Sequence, residues 1–514
     1  MRLLATRLTA IASAVKRLFS PASLFRNAEQ GVWYDPSDFS TMFQDSAGTT
    51  PVTAVEQPVG LMLDKSRGLV LGSELVTNGT FDNGTTGWTP SVATITISSV
   101  SGRLQLVNTT DSSPKSAYQA IPTVIGKWYK ATGQYWRISG AATSEMALDV
   151  RNTGDPVSGG RVVIQSSSTS SDGSYAVYFA ATQTTTFLHA RFSNTPAVGS
   201  TYEIDNISVR ELPGNHGKQE TSAARPILKD TGGFYSELFD GVDDSLATTT
   251  GGGATTAFFW CSSIKAGKIG AAQTLFSDTG TDTGYRVRIN SANKLELAAS
   301  NGAPIGTPVQ AAATTLTTGG TDLAESTAYY YVVTALNALG ETVKSNEQTV
   351  TTGLGTTNSN TISWAAITGA TGYRIYRGTA AGAENVYYQV GAVASYVDTG
   401  AASTAGTPPI LGETAYVKVA STATLAVGQT VVLTAWDDGT NLNVQIGNGA
   451  VASAARPVVS AGTAAITIGK DNGAASSFFL GSIYEKIYVK DDVQTASQIA
   501  SAKTYCAQKA GVTL

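Results

Sequence analysis

Histidine and cysteine are almost missing from this chain. Only His189 and His216, and only Cys261 and Cys506, occur in 514 residues. So few histidines all but exclude a multi-histidine metal centre and leave little room for Ser/His catalysis. Two cysteines cannot build a disulfide framework or a zinc site. They read as small buried hydrophobes, with a single bridge between them as the other reading. Charge is scarce too, at 14% of residues, where an average soluble protein has about 25%. Lys+Arg 34 against Asp+Glu 38 gives a net charge of -4, so neither nucleic acid nor an anionic membrane is an expected partner. No apolar run is long enough for a membrane span. A phosphate-binding glycine loop, a nucleophile elbow and a zinc motif are missing as well.

Gly, Ser, Thr and Ala take the place of the missing charge, a mixture suited to short strands and tight turns. The length predicts about three or four domains, with room for several full cores. The expected class is mainly β, with short helices at the N- and C-terminal ends.

At the amino end, Leu4, Leu8, Ile11, Val15 and Leu18 follow a spacing of 4, 3, 4, 3 and share one helical stripe. Pro21 should stop that helix near Ser20. Ala12-Ser-Ala14 imitates a signal cleavage site, but Arg7 interrupts the apolar stretch. An amphipathic membrane helix lacks a strong aromatic anchor before Phe19. The reading taken is an assembly helix over 1–30, self-associating or docking into a larger particle. Five heptad positions are too few to hold it alone, so partners or the following domains must help. Residues 31–68 look extended, with Trp33, Tyr34, Phe39, Met42 and Phe43 as anchors against another surface.

Gly31-Val-Trp-Tyr-Asp-Pro-Ser-Asp-Phe-Ser, Gln57-Pro-Val-Gly-Leu-Met-Leu-Asp-Lys-Ser66 and the stretch from Ala223-Ala-Arg-Pro to Phe239-Asp-Gly-Val-Asp-Asp-Ser-Leu246 resemble a family of bacteriophage virion proteins carrying a laminin-G-like, concanavalin-type lectin domain. The ending Tyr505-Cys-Ala-Gln-Lys-Ala-Gly-Val-Thr-Leu514 is similar to that family's carboxyl end. In the family the leader runs almost directly into the Ala-Ala-Arg-Pro segment. Here residues 69–213 intervene, and Gly214-Asn-His-Gly217 resumes where Ser66-Arg-Gly68 breaks off. The resemblance implies a jelly-roll lectin-like host, 214–305 and 409–514, interrupted by guests.

The first guest, 69–213, resembles a carbohydrate-binding-module sandwich in Glu74-Leu-Val-Thr-Asn-Gly-Thr-Phe and in the closing strand Tyr202-Glu-Ile-Asp-Asn-Ile-Ser-Val-Arg210. In that strand Tyr202 and Ile204 have one parity and Ile207 and Val209 the other, so a bulge near Asp205-Asn206 is needed to keep all four inward. The resemblance makes Asp205 a candidate for structural calcium; the alternative is a carboxylate bonding backbone amides at the bulge. Trp128 and Trp136 share one parity on their strand, Tyr129 and Tyr135 the other, so one pair must face outward or a neighbour. Trp128 and Trp136 are the candidate glycan platforms, with core as the other reading. The second guest, 306–408, resembles fibronectin type III modules in Tyr329-Tyr-Tyr-Val-Val, Thr361-Ile-Ser-Trp364 and Gly372-Tyr-Arg-Ile-Tyr-Arg377, although the Tyr-rich strand precedes the Trp-bearing one, which suggests a variant topology.

In the host, Ile483, Ile487 and Val489 are expected inward, with Lys486 and Lys490 outward. Thr495 with Gln498 forms a capping box, and Gly511 stands where a helix-ending glycine belongs. Asp240/Asp243/Asp244, Asp278/Asp282 and Asp437/Asp438 could pair as glycosidase carboxylates, but each lies beside a turn signal and reads first as a solvated turn, then as a calcium loop. Taken together, the resemblances imply a non-enzymatic phage structural protein on the virion surface: a tail fibre, spike or capsid-decorating fibre. Its expected partners are other virion proteins, copies of itself in a homo-oligomer, with a trimer as one form, and a host-surface glycan. A secreted bacterial adhesin and a glycan hydrolase are the rival readings.

Overall fold

The computed structural model describes residues 19–514 except 111–114, 140–145, 158, 167–171, 193–196, 252, 280–282, 410–411, 461–464 and 473–476. The stripe Leu4, Leu8, Ile11, Val15 and Leu18 falls outside the described residues, as does Asp282. The chain is mostly β, and its sheets pack as three sandwiches, each with its own core. The described α-helix is Ala496–Lys509. It carries the expected Thr495–Gln498 capping box, and Gly511 follows it at φ 66°.

The host sandwich has two large sheets. One runs Ile227–Asp230, Tyr235–Asp240, Leu480–Lys490, Phe258–Ala266, Thr430–Asp437, Asn441–Ile446, Ala452–Ala455, with Gln30–Tyr34 also paired to Leu480–Lys490. The other runs from Met42–Phe43 and Leu61–Met62 through Gly217–Lys218 and Leu246–Gly251 to Tyr416–Ala420. The segment 31–68 therefore does more than lie against a surface: it contributes strands to both sheets, because Val32, Tyr34, Met42 and Met62 all reach the core. Phe258 stacks on Tyr285 at 4.7 Å, and Phe276 meets Tyr488 at 4.8 Å, filling the space between the sheets.

Both insertions leave the host where its chain ends are already neighbours, so closure costs little. At the first, Leu61–Met62 pairs with Gly217–Lys218, and Gly72 N–H bonds the carbonyl of Glu211 at 2.8 Å. Asp64 ties this join together. Its carboxylate accepts from the backbone of Trp33, Ser66 and Asn215, each at 2.8 Å, and from the Ser66 hydroxyl. At the second, Leu295–Ser300 pairs with Tyr416–Ala420, so the guest replaces a hairpin loop between adjacent strands.

The first guest has two five-stranded sheets around Phe81, Trp88, Tyr129, Tyr135 and Tyr175. The second has a three-stranded sheet, with Thr314–Leu316 and Ser395–Asp398 flanking Ser359–Ser363, packed on a five-stranded one centred on Ala328–Leu336 and Gly372–Gly378. Trp364 and Tyr373 meet across its core at 5.1 Å.

Two expectations fail on one host strand. Lys486 does not face solvent: its side chain is 1% exposed and pairs with the buried Glu237. Strand Leu480–Lys490 is covered on both faces, and its pairing with Phe258–Ala266 shifts register between Ser262 and Ile264. That shift reverses the alternation. Ile483 and Tyr488 join the inter-sheet core, while Ile487 and Val489 turn toward the helix, Leu24 and Phe25.

Candidate functional site

The first guest decides which aromatics are free to meet a ligand. On strand Trp128–Ser139, Tyr129 and Tyr135 take the inward positions and are buried in the guest's core. Trp128 and Trp136 take the outward ones, with different fates. Trp128 is 2% exposed and sits among Phe43, Leu61, Leu63, Tyr178 and Leu212, at the seam with the host. Its indole N–H donates to Thr249 Oγ1 at 3.1 Å, and its ring meets His216 edge-on at 5.3 Å. A sugar cannot stack on a ring enclosed in this way, so Trp128 is a packing residue and not a glycan platform.

Trp136 stays at the surface, half-buried. The Arg103 guanidinium lies 3.6 Å from its ring centroid. Arg103 also reaches Glu203 at 3.3 Å, and the amide of Gln105 donates to the same carboxylate at 3.2 Å. Trp136, Glu203 and Gln105 are direct cross-strand partners, so the ladder itself sets them in a row. Ile138, 52% exposed, continues the row on the Trp136 side. The result is a ledge on the outer face of that sheet: a half-buried indole with a guanidinium stacked on it, a carboxamide, and a carboxylate whose side chain is 10% exposed.

Asp205 borders this ledge. The register of Thr201–Glu211 shifts between Asp205 and Ser208, and Asn206 takes φ 52°. Tyr202, Ile204, Ile207 and Val209 are all buried in consequence. The Asp205 carboxylate accepts the Asn206 N–H at 2.7 Å, so it is engaged at the bulge. Among the described residues, the group of three acids close enough to share a cation is Asp240, Asp243 and Asp244, and Asp205 is not part of it.

That trio is a turn. Asp240 Oδ1 accepts from Val242 N at 2.8 Å and Asp243 N at 3.2 Å, and Asp244 accepts from Asp240 N at 2.9 Å. Burial, with the charge of Asp240, pushes Asp244 up to about 6. Two other acids expected in solvated turns are buried. Asp437 accepts from the Tyr285 hydroxyl and from Arg456 Nε, both at 2.5 Å. Asp278 accepts from the backbone of Tyr285 at 2.5 Å and of Gly253 at 3.2 Å. Both turns lie at the rim of the host sandwich, where unpaired donors need an acceptor.

Burial raises Asp278 to about 6. For an acid with a raised folded pKa, the native state holds the proton more tightly. Its stabilising share is full below about pH 4 and is lost as pH rises through about 6. Asp278→Asn removes that titration. The unfolding free energy of the variant minus that of the native chain should therefore increase between pH 4 and pH 7, by on the order of 3 kcal/mol. Urea unfolding at the two pH values checks it, and a constant difference would refute it.

Both histidines are structural. His189 Nδ1 lies 2.9 Å from Ser116 Oγ and its Nε2 lies 2.9 Å from the Thr153 carbonyl; Ser116 and His189 are fully buried, and burial lowers the imidazole to about 4. A serine so enclosed cannot reach a substrate in this conformation. His216 Nδ1 accepts the Asp64 N–H at 2.9 Å, and burial holds it at about 3.

No known protein family matches the chain, and no curated protein does. Among solved structures, the CBM22-1–CBM22-2 tandem of Paenibacillus barcinonensis Xyn10C is similar at 14% identity over 64% of this chain and 96% of that one, with a TM-score of 0.24. The arabinose-bound MgGH51 α-L-arabinofuranosidase is similar at 14% identity over 28% of this chain, with a TM-score of 0.23. The chain spans 27% of the length of that arabinofuranosidase. At such scores neither likeness carries an inference about this protein's activity. Among the described residues, no helix is long and apolar enough to cross a membrane.

Two features of the site were not foreseen from the sequence. One is Asp64, whose signal was the short Asp64-Lys-Ser66 run, a carboxylate two residues before a hydroxyl that it caps. The other is Arg103, an alternating-strand arginine whose meeting with Trp136 depends on strand order.

Proposed function

We propose that this chain is a non-enzymatic structural protein of a bacteriophage virion, docked through its N-terminal region and presenting a carbohydrate-binding sandwich at the particle surface. The phage assignment follows the resemblance of the leader, the Ala-Ala-Arg-Pro segment and the carboxyl end. The glycan assignment is carried by the Arg103–Trp136 ledge. The indole with the Arg103 guanidinium stacked on it offers an apolar surface and N–H donors to a sugar ring and its hydroxyls, while the largely buried Glu203 carboxylate holds Arg103 in place. The first insertion is tied to the host at the buried Asp64 carboxylate and the second by the Asn337–Thr414 hydrogen bond, which suits a stiff projecting array. Homo-oligomerisation through residues 1–30 belongs to the same reading.

Affinity electrophoresis of the full chain in gels containing cell-surface polysaccharides of bacteria tests it. Retardation by at least one polysaccharide is expected, and Trp136→Ala should abolish it, a loss of affinity of roughly tenfold or more. Trp136 is half-exposed, so folding should change by less than about 1 kcal/mol. Unchanged retardation of a folded Trp136→Ala variant would remove the ledge from the proposal.

A further inference from the structure

The chain's two cysteines meet. Cys261 stands on strand Phe258–Ala266, and Cys506 on the helix Ala496–Lys509 that covers that strand's outer face. Both are fully buried in one cluster with Phe259, Val432, Ile487 and Ala502. The approach is close because the helix meets the sheet through small residues, Ala502, Cys506 and Ala507. Ser263 has the same strand parity as Cys261, and its hydroxyl donates to the carbonyl oxygen of Cys506 itself at 2.8 Å. That bond presses the helix backbone at Cys506 onto the strand surface that carries Cys261. Burial pushes the Cys506 thiol up, and the Cys261 thiol, directly against it, adds to the effect.

We propose that Cys261 and Cys506 form a site of oxidative modification, closing to an intramolecular disulfide that fastens the C-terminal helix to the host sheet. The oxidant class is a low-molecular-weight disulfide. With the helix docked, both thiols are shielded, and that of Cys506 is held protonated. The helix is docked on the outer face of the sheet, so it opens more readily than the sheet core, which exposes Cys506. The Cys506 thiolate attacks one sulfur of the reagent and expels a thiolate, leaving a mixed disulfide. The helix redocks, the Cys261 thiolate attacks the Cys506 sulfur, and the second reagent thiolate leaves. One reagent disulfide is broken and one protein disulfide formed, and the two protein protons end on two reagent thiols. The closed loop contains most of the host and the whole second guest, so the cross-link strongly restricts the unfolded chain. A protein folded in a reducing cell would thus gain a lock on reaching an oxidising medium.

The test equilibrates the folded full chain with oxidised glutathione, denatures it in N-ethylmaleimide and weighs it. A mass lower by two hydrogens, with no maleimide added and a raised thermal midpoint, is expected. Cys506→Ser should show no such loss and no rise. Two maleimides, two glutathione adducts or a disulfide-linked dimer would each overturn the proposal. Any effect of cysteine replacement on folding is separated by the double Cys261→Ser/Cys506→Ser variant, whose thermal midpoint must not respond to the oxidant.

Discussion

Arg286→Met should cost the protein roughly 3–5 kcal/mol of unfolding free energy, read as a fall in the denaturant midpoint. Arg286 is 2% exposed in its side chain and bridges Glu413 at 2.7 Å and Asp471 at 3.0 Å. Arg288 pairs with Glu296 at 2.7 Å and Glu413 at 2.8 Å, and Lys418 reaches Glu413 at 2.7 Å. Three cations thus face three carboxylates, and removing one leaves a buried negative charge uncompensated. The surrounding guanidinium and ammonium groups outweigh burial and hold Glu413 down at about 2. Its folded pKa is depressed, so its share of stability is present above about pH 4 and is lost as pH falls through about 2. Arg286→Met should weaken that acid dependence as well as the stability at neutral pH. A drop below about 1 kcal/mol would show the ladder to be as weak as surface pairs are.

The position of the ladder sets the character of the loss. Glu413 N–H bonds the Glu341 carbonyl at 2.9 Å, and Asn337 bonds the Thr414 carbonyl at 2.8 Å. The second guest therefore rests on the host where the ladder lies, and the variant should free the guest as well as weaken the sheet.

This ladder was hidden in a legible pattern. Tyr285, Val287 and Ile289 alternate with Arg286 and Arg288 as a half-exposed strand should, and the apolar set does face the core. Alternation gives the face but not what covers it, and here the outer face is covered by carboxylates from far along the chain, Glu413 and Asp471. Lys486 misled for a related reason, because a central strand buried on both sides has no solvent face to assign. Asp278 and Asp437 were read from neighbouring turn residues, which signal the bend and not the rim donors it brings together. Where one local rule decided the outcome, the sequence was sufficient. The parity conflict between Ile204 and Ile207 located the bulge, and Thr495 with Gln498 located the start of the helix. Trp128 and Trp136 share a parity, so periodicity could not separate them; only the neighbour beyond the strand does.

That separation gives the second large effect. Trp128→Ala should destabilise the chain by roughly 3–5 kcal/mol, the cost of emptying a buried aromatic site. The indole also takes its hydrogen bond to Thr249 with it, leaving that hydroxyl to solvent or to the Gly126 carbonyl it already reaches at 3.1 Å. The vacated space lies between two sandwiches, each with a core of its own. The first guest should consequently unfold apart from the host, and calorimetry should resolve two transitions where the native chain has more closely coupled ones. Polysaccharide retardation by the ledge should survive below the first transition, since Arg103, Glu203 and Trp136 lie away from the seam. The two tryptophans thus make opposite predictions: Trp128→Ala lowers stability and spares binding, and Trp136→Ala spares stability and removes binding. If Trp128→Ala abolished retardation while leaving the transitions intact, the seam would be the ligand site and the ledge a bystander.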